Sequence, residues 1–394
     1  MANIWCNERA ERLLERCLAG AEWPEGWLEA MTAEDCAEAF FRVVVEGLAD
    51  RFEPALCETY AALFSRVIEA AAPGVTAAGL TARYQRVRRP RPVCGAPEQV
   101  YVLSRVTLGA DVAVTSVLLD AAKRRFPEAQ IWLVGARKNW ELFAADARIR
   151  HLPAAYQRGS LRDRLASWPE LQQALSQPRS IVIDPDSRLT QLGLLPVCPE
   201  ENYYFFESRG YGGAGEDPLP ELARRWAEET FGVADARPYV APAPQGLPAA
   251  EVTISLGVGE NPAKRIADPF EEELLRYLAG KGSRICIDRG AGGEEAERVE
   301  RAIARSGARV ERWEGSFAGF ADRIARSSLY VGYDSAGQHV AAACGVPLVS
   351  IFAGFPCARM FARWRPAGSG RIDVVRVDDP VPAAVLRQVM RALE

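Results

Sequence analysis

The densest set of groups able to do chemistry is Asp334–Ser335–Ala336–Gly337–Gln338–His339, between the apolar run Leu329–Tyr330–Val331 and Gly345–Val346–Pro347. A strand ending at Gly332, a tight turn and a helix opening near Gly337 would leave backbone N–H groups unbonded at the helix start. The helix dipole favours negative charge at the same place, and a diphosphate is a ligand of that chemistry. The Ser335 hydroxyl can add a donor. His339, one turn in, can reach a phosphate or a ribose. The chain holds only two histidines, and one of them here favours a functional reading. The structural alternatives are a helix cap for Asp334 and a satisfied, partly buried ring for His339.

Strands must end beside such residues, and the sequence supplies them twice. Gln99–Val100–Tyr101–Val102–Leu103, a helical stretch over about 111–126, Gln130–Ile131–Trp132–Leu133–Val134, a second helical stretch over about 160–175 and Ser180–Ile181–Val182–Ile183–Asp184 form a first alternation. The stretch Ala234–Ala250, with Pro238, Pro242, Pro244 and Pro248, reads as a linker. The alternation then restarts with strands expected at Val252–Leu256, Arg284–Ile287, Arg309–Arg312, Leu329–Gly332, Pro347–Phe352 and Ile372–Val377. Helices fit at about 268–280, 293–306, 316–327, 337–344 and 356–364, and an amphipathic helix over about 380–393 ends the chain. Alternating apolar strands and helices imply parallel sheets, which bind ligands beyond the carboxyl ends of their strands. The expected class is α/β, with two Rossmann-like lobes facing a cleft: 93–235 towards an acceptor and 236–394 towards a nucleotide sugar. An extra N-terminal helical domain, 1–92, precedes them.

The Asp334 segment resembles the signature of the family 9 glycosyltransferases, the ADP-heptose:lipopolysaccharide heptosyltransferases and their relatives. That signature is Asp-Ser/Thr-Gly-x-x-His, small residues and then Gly-x-Pro; Ala336 stands here for its first glycine. A second match, Ser255–Leu256–Gly257–Val258–Gly259–Glu260–Asn261–Pro262–Ala263–Lys264–Arg265, is similar to the family's strand and loop ending in Lys-x-Trp, with Ile266 where Trp is expected. Gly257 and Gly259 alone would be just a turn. The resemblance puts Lys264 on the donor phosphates, where an ammonium offsets charge on the departing diphosphate. A third match, Arg105–Val106–Thr107–Leu108–Gly109–Ala110–Asp111–Val112, resembles Arg-x-x-x-x-Gly-Asp-Val, with Ala110 for the glycine. It makes Asp111 the catalytic base and sets Arg105 on the acceptor side. A helix N-cap is the other reading of Asp111. The family also places a ribose-holding acid after the second strand of the C-terminal lobe. In Arg289–Gly290–Ala291–Gly292–Gly293–Glu294–Glu295, Gly292 or Gly293 falls there and Glu294 comes one or two places late. The resemblance covers roughly 98–366 and implies a GT-B fold.

The resemblance thus implies a metal-independent, inverting transfer of a heptose-like or hexose sugar from a nucleoside diphosphate. Gly259, Lys264, Asp334, Ser335, Ala336, Gly337 and His339 would hold the donor. No cofactor is expected besides the nucleotide-sugar co-substrate. The acceptor is a saccharide, a lipid-linked molecule or a protein. In Asp184–Pro185–Asp186–Ser187–Arg188 an Asp-x-Asp pattern would suit metal-dependent, single-lobed transferases. With two lobes expected, Asp186 and Arg188 are read as acceptor contacts or turn residues. The alternatives are a sugar-nucleotide epimerase and a non-catalytic nucleotide-sugar-binding or interaction protein.

Composition sets the outer limits. In 394 residues, 48 % are apolar and 25 % charged, an ordinary balance for globular domains with more than one core. A net charge of −4 gives no basis for nucleic-acid binding. Nine cysteines, an odd count with no Cys-x-x-Cys, argue against a disulfide framework and against a metal cluster. Leu13, Leu14, Cys17 and Leu18 are spaced for a first helix. Thr32 and Asp35 resemble a capping box for a second, carrying Phe40, Phe41, Val44 and Leu48. A third holds Leu56, Tyr60, Leu63, Phe64 and Ile68. Arg83, Arg86, Arg88, Arg89 and Arg91 make a basic connector, read as a solvated linker in preference to a patch for an anionic acceptor or peripheral membrane contact. Without an apolar leader or a membrane-length apolar run, the chain reads as cytoplasmic.

Overall fold

The computed structural model describes residues 2–24, 26–33, 35–259, 261–290 and 292–394; Glu260 and Ala291, in two of the loops quoted above, lie outside them. Two parallel sheets organise the chain, which divides into two compact units. The first holds Met1–Val106, Ala121–Arg137 and Arg148–Ala236. The second holds Thr107–Asp120, Lys138–Ala147 and Arg237–Glu394.

In the first unit, β1 (Gln99–Leu103), β2 (Gln130–Gly135), β3 (Ile149–Pro153), β4 (Ser180–Asp184) and β5 (Tyr203–Phe205) form a sheet of order β3-β2-β1-β4-β5. The central strands β1 and β4 are apolar and buried on both faces, as a parallel sheet requires. β3 and β5 do not follow from the sequence pattern: β3 carries Arg150 and His151, and β5 is three residues long. The helix Leu219–Phe231, not among the expected elements, buries Leu219, Leu222, Ala223, Trp226 and Phe231 at helical spacing. The N-terminal helices Ala2–Leu18, Pro54–Ala71 and Ala77–Val87 share one apolar core with this sheet. Tyr60, Phe64, Leu80 and Tyr84 pack with Tyr101, Leu103, Val182, Leu194, Tyr203 and Phe205.

Three expectations for this region are corrected. Thr32 opens no helix: it is the last residue of Trp27–Thr32, and its hydroxyl donates back to the Leu28 carbonyl at 2.8 Å. The next helical run starts at Ala37 behind Cys36. A disulfide joins Cys6 to Cys36, thirty residues apart, while the remaining cysteines among the described residues are free. Their Cα atoms are 5.2 Å apart, a distance set by helix packing and not by local spacing. The arginine-rich connector is not solvated throughout: Arg86 and Arg89 are exposed, whereas Arg83 is buried and Arg88 and Arg91 are half-buried. Arg83 donates to the Gly193 carbonyl at 2.8 Å and lies over the Tyr203 ring. Arg86 forks onto Glu200, Arg88 pairs with Glu207 at 2.7 Å, and Arg91 reaches the Glu200 and Glu201 carbonyls. These side chains staple the last N-terminal helix to the segments flanking β5.

In the second unit, β6 (Val252–Ser255), β7 (Ile285–Asp288), β8 (Val310–Trp313), β9 (Leu329–Tyr333), β10 (Leu348–Phe352) and β11 (Ile372–Arg376) lie in the order β11-β10-β9-β6-β7-β8. The intervening helices are Phe270–Gly280, Gly293–Ser306, Phe317–Ala325, Ala336–Ala343 and Ala358–Trp364, followed by Pro382–Ala392. Every strand and helix expected here is present within two residues of its expected ends. Residues 237–250 form no helix or strand, although Ala241 donates to the Leu142 carbonyl and accepts from Ala145 N–H. Among the described residues no helix is long and apolar enough to cross a membrane.

Candidate functional site

At the carboxyl end of β9 the chain turns through Asp334 and Ser335 into the helix Ala336–Ala343. Ser335 occupies the cap position, but its hydroxyl makes no capping bond and lies 3.5 Å from the Tyr330 hydroxyl. Ser335 and Ala336 are half-buried, so the positive end of the helix opens towards the surface of this unit. Gly337 must be glycine: a Cβ there would stand 2.2 Å from the Tyr330 hydroxyl.

Asp334 is not the helix cap. Its Oδ2 accepts from Lys264 Nζ at 2.7 Å and its Oδ1 from the Gln338 amide, while Lys264 Nζ also donates to the Asp334 carbonyl at 3.0 Å. Ser350 in β10 donates to Gln338 Oε1 and fixes that amide. Lys264 sits in the short turn Pro262–Lys264, whose preceding Asn261 donates to the Gly354 carbonyl at 3.2 Å and accepts from Ala263 N–H. Gly259 makes an exposed left-handed bend (φ 58°) just before it. His339 is 5 % exposed and stacks at an angle on Trp364. Burial pushes its pKa down to about 4; the Asp334 carboxylate pulls the other way and Lys264 adds to the fall. At neutral pH this ring is uncharged.

The segment before Asp111 lies against this helix start. A Cβ on Gly109 would come 3.2 Å from Ala336 Cα and 3.4 Å from His339 Cδ2. Asp111 is no N-cap either: Thr107 holds that position and the helix begins at Leu108. The Asp111 carboxylate is fully buried, accepting from Thr115 Oγ1 and from Asn139 Nδ2, each at 2.6 Å. It opens a π-helical turn, Asp111–Thr115, a feature frequent at functional sites.

The acid turned towards the β6 loop is Glu295, not Glu294. Glu295 Oε2 accepts from Val258 N–H at 3.1 Å, whereas Glu294 is exposed. Asp288, at the end of β7, is held above its ordinary range by burial, opposed by the Gly290 N–H and reinforced by Glu295. The helix starting at Gly293 puts its third residue, not its second, on that side. Gln338, Ser350, Asn261 and Glu295 carried no signal of their own in the sequence.

The acceptor candidates lie in the first unit. Asp186 (φ 72°) is buried and accepts from Arg209 Nε at 2.9 Å and from the Ser208 hydroxyl at 2.9 Å. Arg105 donates to that same Ser208 oxygen and to the Pro185 carbonyl. Arg188 faces Glu46 at 3.6 Å. The Asp184 carboxylate accepts from Ser187 N–H, Thr190 and Tyr203. Burial pushes its pKa up to about 6 against those donors. Among the described residues no group of three or more His, Cys, Asp or Glu side chains is arranged to hold a metal.

The sequence model of glycosyltransferase family 9 (heptosyltransferase) matches residues 257–366, a stretch that includes Lys264, Glu295 and Asp334–His339. A comparison with curated proteins found no match. Among solved structures, the glycosyl transferase family 9 protein from Veillonella parvula DSM 2008 superposes with a TM-score of 0.56 at 15 % identity, over 75 % of this chain and 96 % of that one. E. coli heptosyltransferase WaaC, solved with ADP, gives 0.56 at 18 % identity over 75 % and 99 %. E. coli ADP-heptose lps heptosyltransferase II gives 0.51 at 15 % identity over 75 % and 98 %. At such identities the likeness is one of fold, the two-lobed GT-B type with a Rossmann-like sheet in each lobe.

Proposed function

We propose that this chain, a glycosyltransferase whose residues 257–366 form a family 9 domain, moves a sugar from a nucleoside diphosphate to an acceptor hydroxyl by a metal-independent, inverting displacement. One observation carries the reading. The Lys264 ammonium, fixed on the Asp334 carbonyl and carboxylate, stands beside a helix start that no side chain caps. A diphosphate supplies the negative charge and the acceptor oxygens that such a start lacks. The neutral His339 ring adds a hydrogen-bonding edge without a second full charge. The family's ribose-holding acid corresponds best to Glu295, which comes from the expected loop and turns towards the β6 turn.

In the reaction the acceptor oxygen attacks the anomeric carbon from the face opposite the diphosphate. The bond to the departing phosphate oxygen breaks, and the acceptor proton passes to Asp111. Thr115 and Asn139 hold that carboxylate in one orientation. The developing charge on the diphosphate is met by Lys264 and by the N–H groups at Ala336 and Gly337. ADP is the favoured nucleotide, because a structural neighbour was solved with it. A saccharide acceptor is favoured on the same kind of support.

Calorimetric titration with ADP, GDP, UDP and CDP, on wild type and Lys264→Ala, tests the donor site. Binding of one of them, lost in the variant, supports the reading. Equal binding by both proteins removes Lys264 from it. Proton NMR of the product from an α- or β-linked donor then reads the stereochemistry, and retention of configuration rules out the single displacement.

A further inference from the structure

Behind the donor loops lies a buried carboxylate that the proposed mechanism does not use. Glu271, on the helix Phe270–Gly280, is 2 % exposed. Its Oε1 gathers three partners from three different segments. Arg298, on the helix Gly293–Ser306, pairs with it through Nη1. Tyr333, the last residue of β9, donates its hydroxyl at 3.1 Å. Arg265, next to Lys264, approaches with Nε at 3.4 Å. Its Oε2 is buried with no hydrogen-bond partner among the described residues.

Each partner carries the contact on to one donor loop. Arg298 Nη2 donates to the Leu256 carbonyl at 2.7 Å, immediately before the Gly257–Gly259 turn. The Tyr333 hydroxyl accepts from Ile266 N–H at 3.2 Å, two residues after Lys264, and Tyr333 itself leads into Asp334. Arg265 is also tied to Asp268. One oxygen therefore links the β6 turn, the Lys264 turn and the Asp334 turn. A buried carboxylate with an unpartnered oxygen is a poor device for stability, since desolvation offsets what its ion pair contributes. It suits a group that holds neighbouring turns in one register.

We infer that Glu271 is a positioning residue for the donor site, locking the turns that carry Gly259, Lys264 and Asp334 relative to one another. The inference rests on the donor-site reading above. Glu271→Gln keeps the shape and removes the charge that gathers Arg298 and Arg265. Tyr333→Phe removes the hydroxyl that joins Glu271 to Ile266 and leaves both arginine contacts in place.

The experiment compares full-length wild type, both variants and Val389→Ala, which truncates a buried core residue of the same unit outside this network. It reads amide exchange at Ile266 and, by calorimetry at 25 °C, the Kd of the nucleoside diphosphate that wild type binds. Ile266 exchange rises in Glu271→Gln and in Tyr333→Phe, and Kd rises about tenfold in Glu271→Gln and less in Tyr333→Phe. Val389→Ala lowers the melting temperature and leaves both readouts near wild type. Wild-type exchange and Kd in Tyr333→Phe and Glu271→Gln overturn the inference. So does a Kd rise of the same size in Val389→Ala, which would make the effect one of general stability. Should Glu271→Gln fail to fold, Tyr333→Phe decides alone. If wild type binds no nucleoside diphosphate, the donor reading fails and the exchange data judge the lock on their own, with unchanged Ile266 exchange overturning it.

Discussion

Charged side chains crowd the carboxyl ends of the strands in both units, but their surroundings differ. In the first unit each has a partner that closes it off. Asp186 is locked to Arg209, Glu207 to Arg88 and Tyr84, Arg188 to Glu46, and Asp184 to three donors. Arg88 directly follows the last N-terminal helix and Glu46 lies in an earlier one, so these two pairs fasten one layer to another. In the second unit Lys264 and Asp334 are also paired, but they border a helix start that is half-buried and uncapped. The difference lies in what stands beside the charges: in the second unit an uncapped helix start follows β9 directly, and unbonded N–H groups attract an anion only where no side chain has already answered them. A charge at a strand end is therefore no guide to function until its partners are known.

Four predictions press on that contrast. The largest effect is expected for Asp111→Asn, which should lower turnover roughly 10²–10⁴-fold while leaving the nucleotide Kd within a factor of two or so. Unchanged single-turnover rates would remove Asp111 from the base role. Asp186→Asn should act on stability alone. Breaking one partner of a buried pair costs roughly 3–5 kcal/mol, visible as a lower urea midpoint with normal turnover in the fraction that stays folded. A folded Asp186→Asn protein with raised acceptor KM would instead return Asp186 to the acceptor site. Gly337→Ala forces a methyl onto Tyr330 and should cost about 1–3 kcal/mol, with donor affinity falling too. Adding Tyr330→Phe should restore part of the stability, and no restoration would mean the clash lies elsewhere.

The smallest signal is a pair of opposed pH slopes. His339 has its folded pKa lowered to about 4 from 6.5, so the unfolded chain binds its proton first. The stability it contributes is present above pH 6.5 and is lost as pH falls towards 4. Asp184 is raised from 3.8 to about 6, so its contribution is present below pH 3.8 and fades as pH rises through 6. Urea midpoints between pH 4 and 7 should show the acid-side loss shrinking in His339→Gln and the alkaline-side decline shrinking in Asp184→Asn. Parallel curves for wild type and either variant would contradict the corresponding shift.

Much of the second unit was legible because buried parallel strands read as unbroken apolar runs between turn residues. Leu348–Phe352 is nearly such a run, interrupted only by Ser350 and closed by Gly345–Val346–Pro347 before it and Gly354 after it. In the first unit the same rule fails at β3, an edge strand with polar residues, and at β5, too short to show a period. The Asp334 turn was legible for its small residues and lone histidine. The partners that fix it were not: Gln338 reads as any helical residue, and Ser350 as a polar break in a strand. Thr32 misled because a hydroxyl suited to capping the helix ahead can equally bond the turn behind it.

The sequence by itself determined where strands, turns and helix starts fall, since these follow from periodicity, small residues and turn chemistry acting over a few neighbours. It also determined that a tight turn and a helix start would stand after Tyr333. Only the tertiary structure decided which charge meets which. It spent the connector arginines on Glu200, Glu207 and backbone carbonyls, joined Cys6 to Cys36, and turned Glu295 and not Glu294 towards Val258. Glu271 joins turns 256–257, 264–266 and 333–334 through a single oxygen. The physical reason is range: backbone preferences are settled within a turn of chain, whereas a buried charge takes its partner from whatever distant segment packing brings within hydrogen-bond reach.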